Sequence, residues 1–173
     1  MTRIALLFLI LMASTASAQP KADPKLKIVG WVESATIADV DITFKAKLDT
    51  GAKTSSIDAE VIDIRKVGKP KKDYTGEQVV FSIKNDNNNK SVTFERDIVR
   101  YVRIKKKNGG FLRRPVIKME LCIAGRQVHE EVNLANRGNF IYPLLIGRNM
   151  MQHAKLSVDP SRTFVSRARC TEE

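Results

Sequence analysis

The chain has few of the residues that hold transition metals or nucleotides. It contains two histidines, His129 and His153, which are far apart in the sequence, and two cysteines. A zinc site usually takes at least three His, Cys, Asp or Glu ligands, often within a His-Glu-x-x-His segment that this chain lacks. It also lacks a glycine-rich Walker loop for nucleotide phosphates. We therefore expect no metal and no cofactor.

Aromatic residues are scarce, whereas basic residues are in excess. Phe, Trp and Tyr make up 6% of the chain, which has 30 Lys and Arg against 19 Asp and Glu. Few aromatic rings leave little surface for base stacking, and the basic residues are spread over several segments without a nucleic-acid-binding motif. The positive charge favours acidic partners, and we expect no nucleic acid among them.

Long apolar runs are also lacking, with one short exception at the N-terminus. An apolar run over 4–13 follows Thr2-Arg3 and precedes Ala16-Ser17-Ala18. The run is shorter than the roughly 20 residues that span a bilayer as a helix, and the small residues Ala16 and Ala18 fit a signal-peptidase pocket. The pattern predicts a signal peptide over 1–18, cleaved after Ala18. An uncleaved membrane anchor is the alternative.

Cleavage would leave an exported protein, periplasmic or secreted, with no stable membrane insertion. Residues 19–26 include two prolines and read as a flexible lead-in, and 27–173 is a length typical of one domain. Cys122 and Cys170 would meet an oxidising compartment, in which they could form a disulfide. Because the sequence fixes neither their distance nor their direction, two unpaired thiols remain the alternative.

The domain is predicted to be all-β. Short runs rich in Val, Ile, Phe and Thr alternate with clusters of Gly, Pro, Asn and Asp, a pattern typical of a barrel or a sandwich. In the run over 99–106 the apolar residues mostly alternate with Arg and Lys, which predicts one buried and one basic face. One short helix is expected over 148–153, and an exposed turn over 84–90. The predicted strands are 27–33, 42–49, 61–66, 78–84, 91–96, 99–106, 116–123, 127–134 and 144–146.

Two distant segments carry a specific resemblance. An apolar strand runs into Asp49-Thr50-Gly51-Ala52, and a late apolar run ends in Ile146-Gly147-Arg148-Asn149 before the short helix. Together these segments resemble the retropepsins, the homodimeric single-domain relatives of pepsin-type peptidases. The resemblance implies a closed barrel of short strands with one short C-terminal helix.

A bacterial branch of retropepsin-like proteins is closer still. This branch has been called ATP-dependent zinc proteases, and it is associated with the processing of glutamate-tailed proteins. It typically reads Asp-Thr-Gly-Ala-Lys-Thr-Ser, as residues 49–55 do here, followed later by Arg-Pro-Val and Leu-Ile-Gly-Arg, as at 114–116 and 145–148. The likeness extends from residue 27 to about residue 165.

The resemblance makes Asp49 the catalytic residue of an aspartic-type peptidase. Two carboxylates held about 3 Å apart cannot both ionise cheaply, so they share one proton, and one acts as base while the other acts as acid. A chain with a single Asp-Thr-Gly supplies only one of them. The second Asp49 must then come from another copy, so activity would require a homodimer.

The neighbours of the carboxylate are expected to support it. Thr50 would hold the two catalytic loops together through its hydroxyl group. Gly51 has no Cβ, so its backbone could approach substrate while its N–H donates to the carboxylate, and Ala52 completes the motif. Gly147 would let the late strand pack under the loop. Arg148 corresponds to a structural ion-pair residue of the retropepsins.

One position departs from the retroviral pattern. Retroviral members place an acidic residue directly after Asp-Thr-Gly-Ala, where this chain has Lys53, so the pairing of Arg148 must differ. Lys53, Arg113 and Arg114 suggest a binding site for an acidic peptide or protein substrate. A solvated loop lysine is the alternative for Lys53.

A glycine-tipped hairpin should cover the substrate. Lys107-Asn108-Gly109-Gly110 and Asp73-Tyr74-Thr75-Gly76 are both candidates, and the sequence does not choose between them. Two functions are therefore considered. One is an exported aspartic-type endopeptidase, active as a homodimer, on acidic or glutamate-rich substrates. The other is a catalytically inactive module that uses the same cleft to bind a peptide or a cell surface.

Overall fold

Strand β2, over Ile42–Leu48, shows how the alternating sequence builds the fold. Its residues Ile42, Phe44, Ala46 and Leu48 are buried, whereas Lys45 between them is exposed. Successive side chains of a strand point to opposite faces, so one face joins the core while the other meets solvent.

A computed structural model describes residues 25–84, 91–106 and 108–170. The predicted signal peptide, most of the lead-in, residues 85–90 of the expected turn, and Lys107 lie outside the described residues. None of the helices in the described ranges is both long and apolar enough to cross a membrane.

Within the described residues the chain forms eleven strands and one α-helix. They are β1 Lys27–Ile37, β2 Ile42–Leu48, β3 Ser55–Asp58, β4 Glu60–Lys66, β5 Glu77–Lys84, β6 Ser91–Asp97, β7 Arg100–Lys105, β8 Phe111–Ile123, β9 Arg126–Ala135, β10 Leu144–Ile146, α1 Arg148–His153 and β11 Leu156–Thr163.

The main sheet closes on itself as a barrel. Its strand order is β11-β1-β2-β10-β3-β9-β8-β7, and a further pairing of β1 with β8 joins the ends of the six central strands. Closure removes the unpaired edges of these strands and encloses an apolar interior that includes Ile57, Leu121, Leu144 and Ile146. The predicted all-β retropepsin-like barrel with one short late helix is confirmed.

A second sheet, β4-β5-β6, lies beside the barrel. The middle strand β5 buries Val79, Phe81 and Ile83, and the ring of Phe94 on β6 stacks on Phe81 with centroids 5.3 Å apart. Strand β4 is exposed along its whole length. The sequence predicted these three strands, but it did not show that they form a sheet of their own.

Two strands were missed because their sequences are poor in strand-forming residues. Strand β3 begins with Ser55 and Ser56, which are buried all the same because Ser56 bonds Asn133 and Ser55 bonds the backbone of Gly147. Strand β11 contains Pro160 and pairs with β1 at the edge of the sheet, where proline is tolerated.

The prediction for residues 99–106 was wrong in one respect. Strand β7 does not have a buried face, because its residues are half-buried or exposed. The reason lies in β8, which begins at Phe111, five residues before the predicted start. Residues 111–115 pair only with β7, and pairing with β9 starts at Val116, so the end of the β7–β8 hairpin forms a two-stranded arm.

A buried carboxylate anchors the segment after β11. Glu33 is 0% exposed and accepts hydrogen bonds from the backbone N–H groups of Gly30, Val165 and Ser166 and from the Ser166 hydroxyl, at 2.6 to 3.1 Å. A Cβ on Gly30 would lie 2.5 Å from the carbonyl oxygen of Arg162, so only glycine allows the two segments to approach this closely. The segment then reaches Cys170, which is disulfide-bonded to Cys122.

Candidate active site

Asp49 lies directly after β2, at the end of the barrel where β2 and β10 run side by side. Its backbone N–H donates to the carbonyl oxygen of Ile146 at 2.9 Å. Its carboxylate oxygen Oδ1 accepts the N–H groups of Gly51 at 2.9 Å and Ala52 at 3.3 Å. Charge-assisted bonds of this kind fix the carboxylate against the turn of its own loop.

The other carboxylate oxygen faces a lysine that the sequence analysis did not single out. Lys47 Nζ lies 3.8 Å from Asp49 Oδ2, and the Asp49 side chain is 29% exposed. The strand period could have indicated this contact, since residues two apart on a strand share a face. The carboxylate is thus fixed on one side and reachable by solvent on the other.

Gly147 brings the late segment under the loop. Its N–H donates to Ser55 Oγ at 3.0 Å, and a Cβ here would lie 2.8 Å from the Lys53 carbonyl oxygen and 2.7 Å from the Thr54 carbonyl carbon. Real Cβ atoms do not come this close to backbone. The N–H groups of the next two residues donate to the carbonyl oxygens of Ala52 and Lys53, so the start of α1 is bonded to the loop that carries Asp49.

Arg148 binds backbone rather than a carboxylate. Its Nη1 donates to the carbonyl oxygens of Thr50 at 2.8 Å and Gly51 at 2.9 Å. Within residues 25–84, 91–106 and 108–170, no acidic group forms an ion pair with it. Thr50 and Gly51 are exposed, so the tip of the loop faces outward from this chain.

The candidate substrate-binding residues lie in two different places. Lys53 lines a hollow of about 540 Å³ with Thr50, Arg148 and residues of β11. Arg113 and Arg114 lie on the arm, where they line a cavity of about 610 Å³ together with Asp58. The guanidinium of Arg113 also stacks on the ring of Tyr101, 4.2 Å from its centroid.

The two glycine-tipped segments lie in different settings. Residues 108–110 lie between the two strands of the arm, and both Gly109 and Gly110 have positive φ angles, as a tight hairpin turn requires. Asp73-Tyr74-Thr75-Gly76 lies between β4 and β5, where Lys71 and Tyr74 form an isolated bridge. Only the first segment closes a hairpin that extends from the barrel sheet.

Arg100 links the base of the arm to the loop that follows Asp49. Its guanidinium donates to Glu131 Oε2 at 2.6 and 2.9 Å and to Thr54 Oγ1 at 3.2 Å. Thr54 lies between the Asp-Thr-Gly motif and β3, so the base of the arm is attached to the same segment that carries Asp49. In the sequence, Arg100 is one of several basic residues and nothing marks it for this contact.

Arg137, in the loop between β9 and β10, also escaped the sequence analysis. It is 8% exposed, and its pKa is lowered mainly by burial and further by the charge of Arg114, while Asp58 and Asp49 oppose that change. A lone arginine in a polar loop carries no sequence signal for burial. Only the fold brings it within electrostatic reach of these three charges.

The histidines lie apart from Asp49 in the sheet and helix. His129 pairs with Glu120 across β8 and β9, and His153 Nδ1 contacts Glu130 Oε2. No group of three or more His, Cys, Asp or Glu residues suited to a metal ion occurs in the part of the chain that the structure describes.

Comparisons with known proteins agree with this geometry. A family model described as "Retropepsin-like aspartic endopeptidase RimB", of the RimB-like family, matches residues 28–169. A solved structure of a protein of unknown function (DUF785) from Legionella pneumophila subsp. pneumophila is 33% identical, with a TM-score of 0.64 over 81% of this chain and 98% of that one.

Curated relatives are longer proteins. Two from Shewanella halifaxensis and Shewanella pealeana, each named "Probable alpha-L-glutamate ligase", are 32% identical over 123 residues, which is 69% of this chain. The matched region is 25% of each relative, so the chain spans about a quarter of their length.

Proposed function

This chain belongs to the RimB-like family of retropepsin-like aspartic endopeptidases, and we propose that it is an exported aspartic-type endopeptidase that works as a homodimer. The observation that carries the proposal is the state of Asp49. One carboxylate oxygen is held by two backbone N–H groups of its own loop, and the other faces solvent and Lys47. A fixed, accessible carboxylate is what a paired-acid site needs from each copy.

Two such carboxylates across a two-fold axis would share one proton. The ionised one takes a proton from water as the water attacks the peptide carbonyl carbon, and the protonated one donates to the carbonyl oxygen as it gains charge. The resulting tetrahedral intermediate then collapses with cleavage of the C–N bond and protonation of the leaving amine.

The outward-facing loop tip supports assembly with a second copy. Thr50 and Gly51 are exposed in the single chain, and the bonds from Arg148 fix their backbone. The start of β1 also offers apolar surface, since Leu26 is 68% and Ile28 is 60% exposed. A two-fold contact between loop tips would bring one Asp49 towards the other.

The arm is the better candidate for the substrate cover. It projects from β7 and β8, ends in two glycines of positive φ, and its base is bonded to Thr54 beside the motif. Residues 73–76 belong instead to the loop between β4 and β5 of the second sheet. A hairpin attached to the catalytic segment could close over a peptide and exclude water.

Acidic or glutamate-rich peptides are the proposed substrates. The matched region of the Shewanella relatives belongs to proteins named for an α-L-glutamate ligase, so a peptidase module with that likeness fits substrates that contain glutamate. The excess of Lys and Arg over Asp and Glu would attract such peptides, and Arg113 and Arg114 lie on the proposed cover.

The contact between Lys47 and Asp49 favours a second candidate, a catalytically inactive module that binds peptide or a cell surface. A lysine that holds the carboxylate must release it before two copies can share a proton. In the binding module this ion pair would persist, and the cleft would hold peptide without cutting it.

The test compares the wild-type chain with Asp49→Asn, and with Asp63→Asn as an exposed control on β4. Glutamate-rich peptides are incubated with each protein over a range of pH, and the mass in solution is measured in parallel. The proposal requires cleavage by wild type and Asp63→Asn, loss of cleavage in Asp49→Asn, and a dimer. A strict monomer that cuts nothing but binds the peptides would establish the binding module instead.

A further inference from the structure

Arg137 is buried without a carboxylate partner of its own. Its Nε donates to the carbonyl oxygen of Tyr142 at 3.2 Å, and its guanidinium lies over the ring of Phe140, 4.7 Å from the centroid. Among residues 25–84, 91–106 and 108–170, no acidic oxygen lies within ion-pair distance of it. Burying a charge is costly unless it is paired, so a guanidinium in this state favours the approach of an anion.

A second arginine adds to this positive charge. Arg114 is half-buried, and its Nε is shielded from solvent without a hydrogen-bond partner among the described residues. The charge of Arg114 lowers the pKa of Arg137, which indicates that the two guanidinium groups lie within electrostatic reach of each other. Two like charges held close together in a partly desolvated site repel each other, and a bound anion would offset that repulsion.

The acidic group nearby neutralises only part of this charge. Asp58 lies at the end of β3, and one of its oxygens, Oδ1, already accepts the backbone N–H of Arg137 at 2.5 Å. The cavity beside it, of about 610 Å³, is lined by Arg113, Arg114 and Lys84 as well as by Asp58 and Glu60. The basic residues therefore outnumber the acidic ones around the opening.

This basic pair is in reach of the catalytic carboxylate. Asp49 follows β2 and Asp58 ends β3, and both strands pair with the three-residue strand β10 that lies between them. The charges of both acids act on Arg137. The cavity also contacts Asn136 and Gly138, the two neighbours of Arg137 in its loop. A peptide bound against the arm in this cavity would therefore lie next to the loop of Arg137.

We infer that Arg137 and Arg114 together form a carboxylate-binding subsite beside Asp49, which selects a substrate with an acidic group close to the bond that is cut. The inference rests on the proposed peptidase function and names the residues that give it specificity. A planar guanidinium can bind a carboxylate through two parallel N–H bonds, and two of them surround it. The carboxylate could be a glutamate or aspartate side chain or the C-terminal carboxylate of the peptide.

The test measures selectivity rather than activity alone. Wild type and Arg137→Gln are compared on peptides that differ only in Glu or Gln at each position next to the cleaved bond. Each peptide is made with a free and an amidated C-terminus, which separates the two sources of carboxylate. Arg169→Gln is the matched control, because Arg169 pairs with Asp41 at the start of β2, the opposite end from Asp49.

One pair of peptides, either Glu against Gln or free against amidated C-terminus, should differ in the carboxylate that the subsite binds. We expect wild type and Arg169→Gln to prefer the peptide with that carboxylate by about 10- to 100-fold in kcat/KM, the range for a hydrogen bond to a charged group. Arg137→Gln and Arg114→Gln should each bring that ratio close to one. A variant that is merely less stable would lower both rates equally and keep the ratio. An unchanged ratio in Arg137→Gln would overturn the inference while cleavage itself continues.

A binding experiment separates this inference from the peptidase proposal. The Asp49→Asn chain is titrated with the same fluorescent peptides, with and without Arg137→Gln. If wild type cuts nothing, but acidic peptides bind in an Arg137-dependent way, the subsite inference stands and the peptidase proposal fails. Equal binding of Glu and Gln peptides, each with a free and an amidated C-terminus, would refute the subsite.

Discussion

The guanidinium of Arg148 lies 2.8 Å from the carbonyl oxygen of Thr50, and this bond connects the start of α1 to the tip of the loop that carries Asp49. Residues 98 positions apart in the sequence are thereby held as one unit. The same side chain also reaches the carbonyl oxygen of Gly51. Arg148, which forms no hydrogen bond with the carboxylate itself, therefore fixes the backbone of the exposed tip.

Arg148→Met should loosen this tip without unfolding the barrel. Both bonds are lost, so amide hydrogen exchange of residues 50–52 should accelerate, and kcat/KM should fall by about 10- to 100-fold through misplacement of Asp49. Arg169→Met, which removes an exposed arginine at the other end of β2, should change neither. Unaltered exchange at 50–52 in Arg148→Met would show that the bonds do not hold the loop.

Gly147→Ala should destabilise the fold. The new Cβ would lie under 3.0 Å from backbone atoms of Lys53 and Thr54, which can move only together with the loop, and we expect a loss of roughly 1–3 kcal/mol. Gly68→Ala is the matched control, since its nearest atoms are 3.7 Å away on the Tyr74 ring. Urea denaturation checks both variants, and equal midpoints would contradict the packing argument.

Glu33→Gln should release the segment that follows β11. The carboxylate accepts four hydrogen bonds while fully buried, and an amide would present N–H groups to some of these donors. We expect a loss of roughly 2–4 kcal/mol in unfolding free energy and faster proteolysis near residues 164–166. Glu60→Gln, on exposed β4, is the control. The role assigned to Glu33 fails if both variants unfold at the same urea concentration.

Tyr101 should make stability sensitive to alkali. Burial, together with its hydrogen bond to Glu77 at 2.8 Å, raises the pKa of Tyr101 to about 12. Because the folded state keeps the proton longer than the unfolded one, this contribution is complete below about pH 10 and is lost as pH rises to about 12.

Tyr101→Phe tests that direction. The variant should be less stable than wild type at pH 7 by about 1 kcal/mol, the value of a typical hydrogen bond, and the difference should shrink between pH 10 and pH 12. Tyr142→Phe is the control for losing a phenol elsewhere. A difference that stays constant or grows over this range would contradict the sign.

Much of the fold could be predicted from local patterns. The alternation in β2 and the apolar run of β10 indicated strands whose bounds the structure reproduces to within one residue. The helix over Arg148–His153 followed from good helix formers after a glycine. Strands β3 and β11 could not be found this way, because their burial depends on partners in β9 and β1 rather than on their own composition.

The candidate site divides in the same way. The residues 49–52 and 147–148 could be named from the sequence because their two segments together resemble those of the retropepsins. Lys47 beside Asp49, Arg100 on Thr54 and Arg137 beside Arg114 were not named. The strand period could have indicated the first of these, since Lys47 and Asp49 are two residues apart, whereas the other two join distant segments that only the closed sheet brings together.

The sequence alone determined the all-β class, because strand period and turn chemistry act over a few neighbouring residues, and its resemblance to the retropepsins pointed to the Asp-Thr-Gly loop and the late glycine. Tertiary structure decided which strands close the barrel, which hairpin projects from it, and which charges gather around Asp49. Those features depend on contacts between distant segments, whose free energy arises only when the chain has folded.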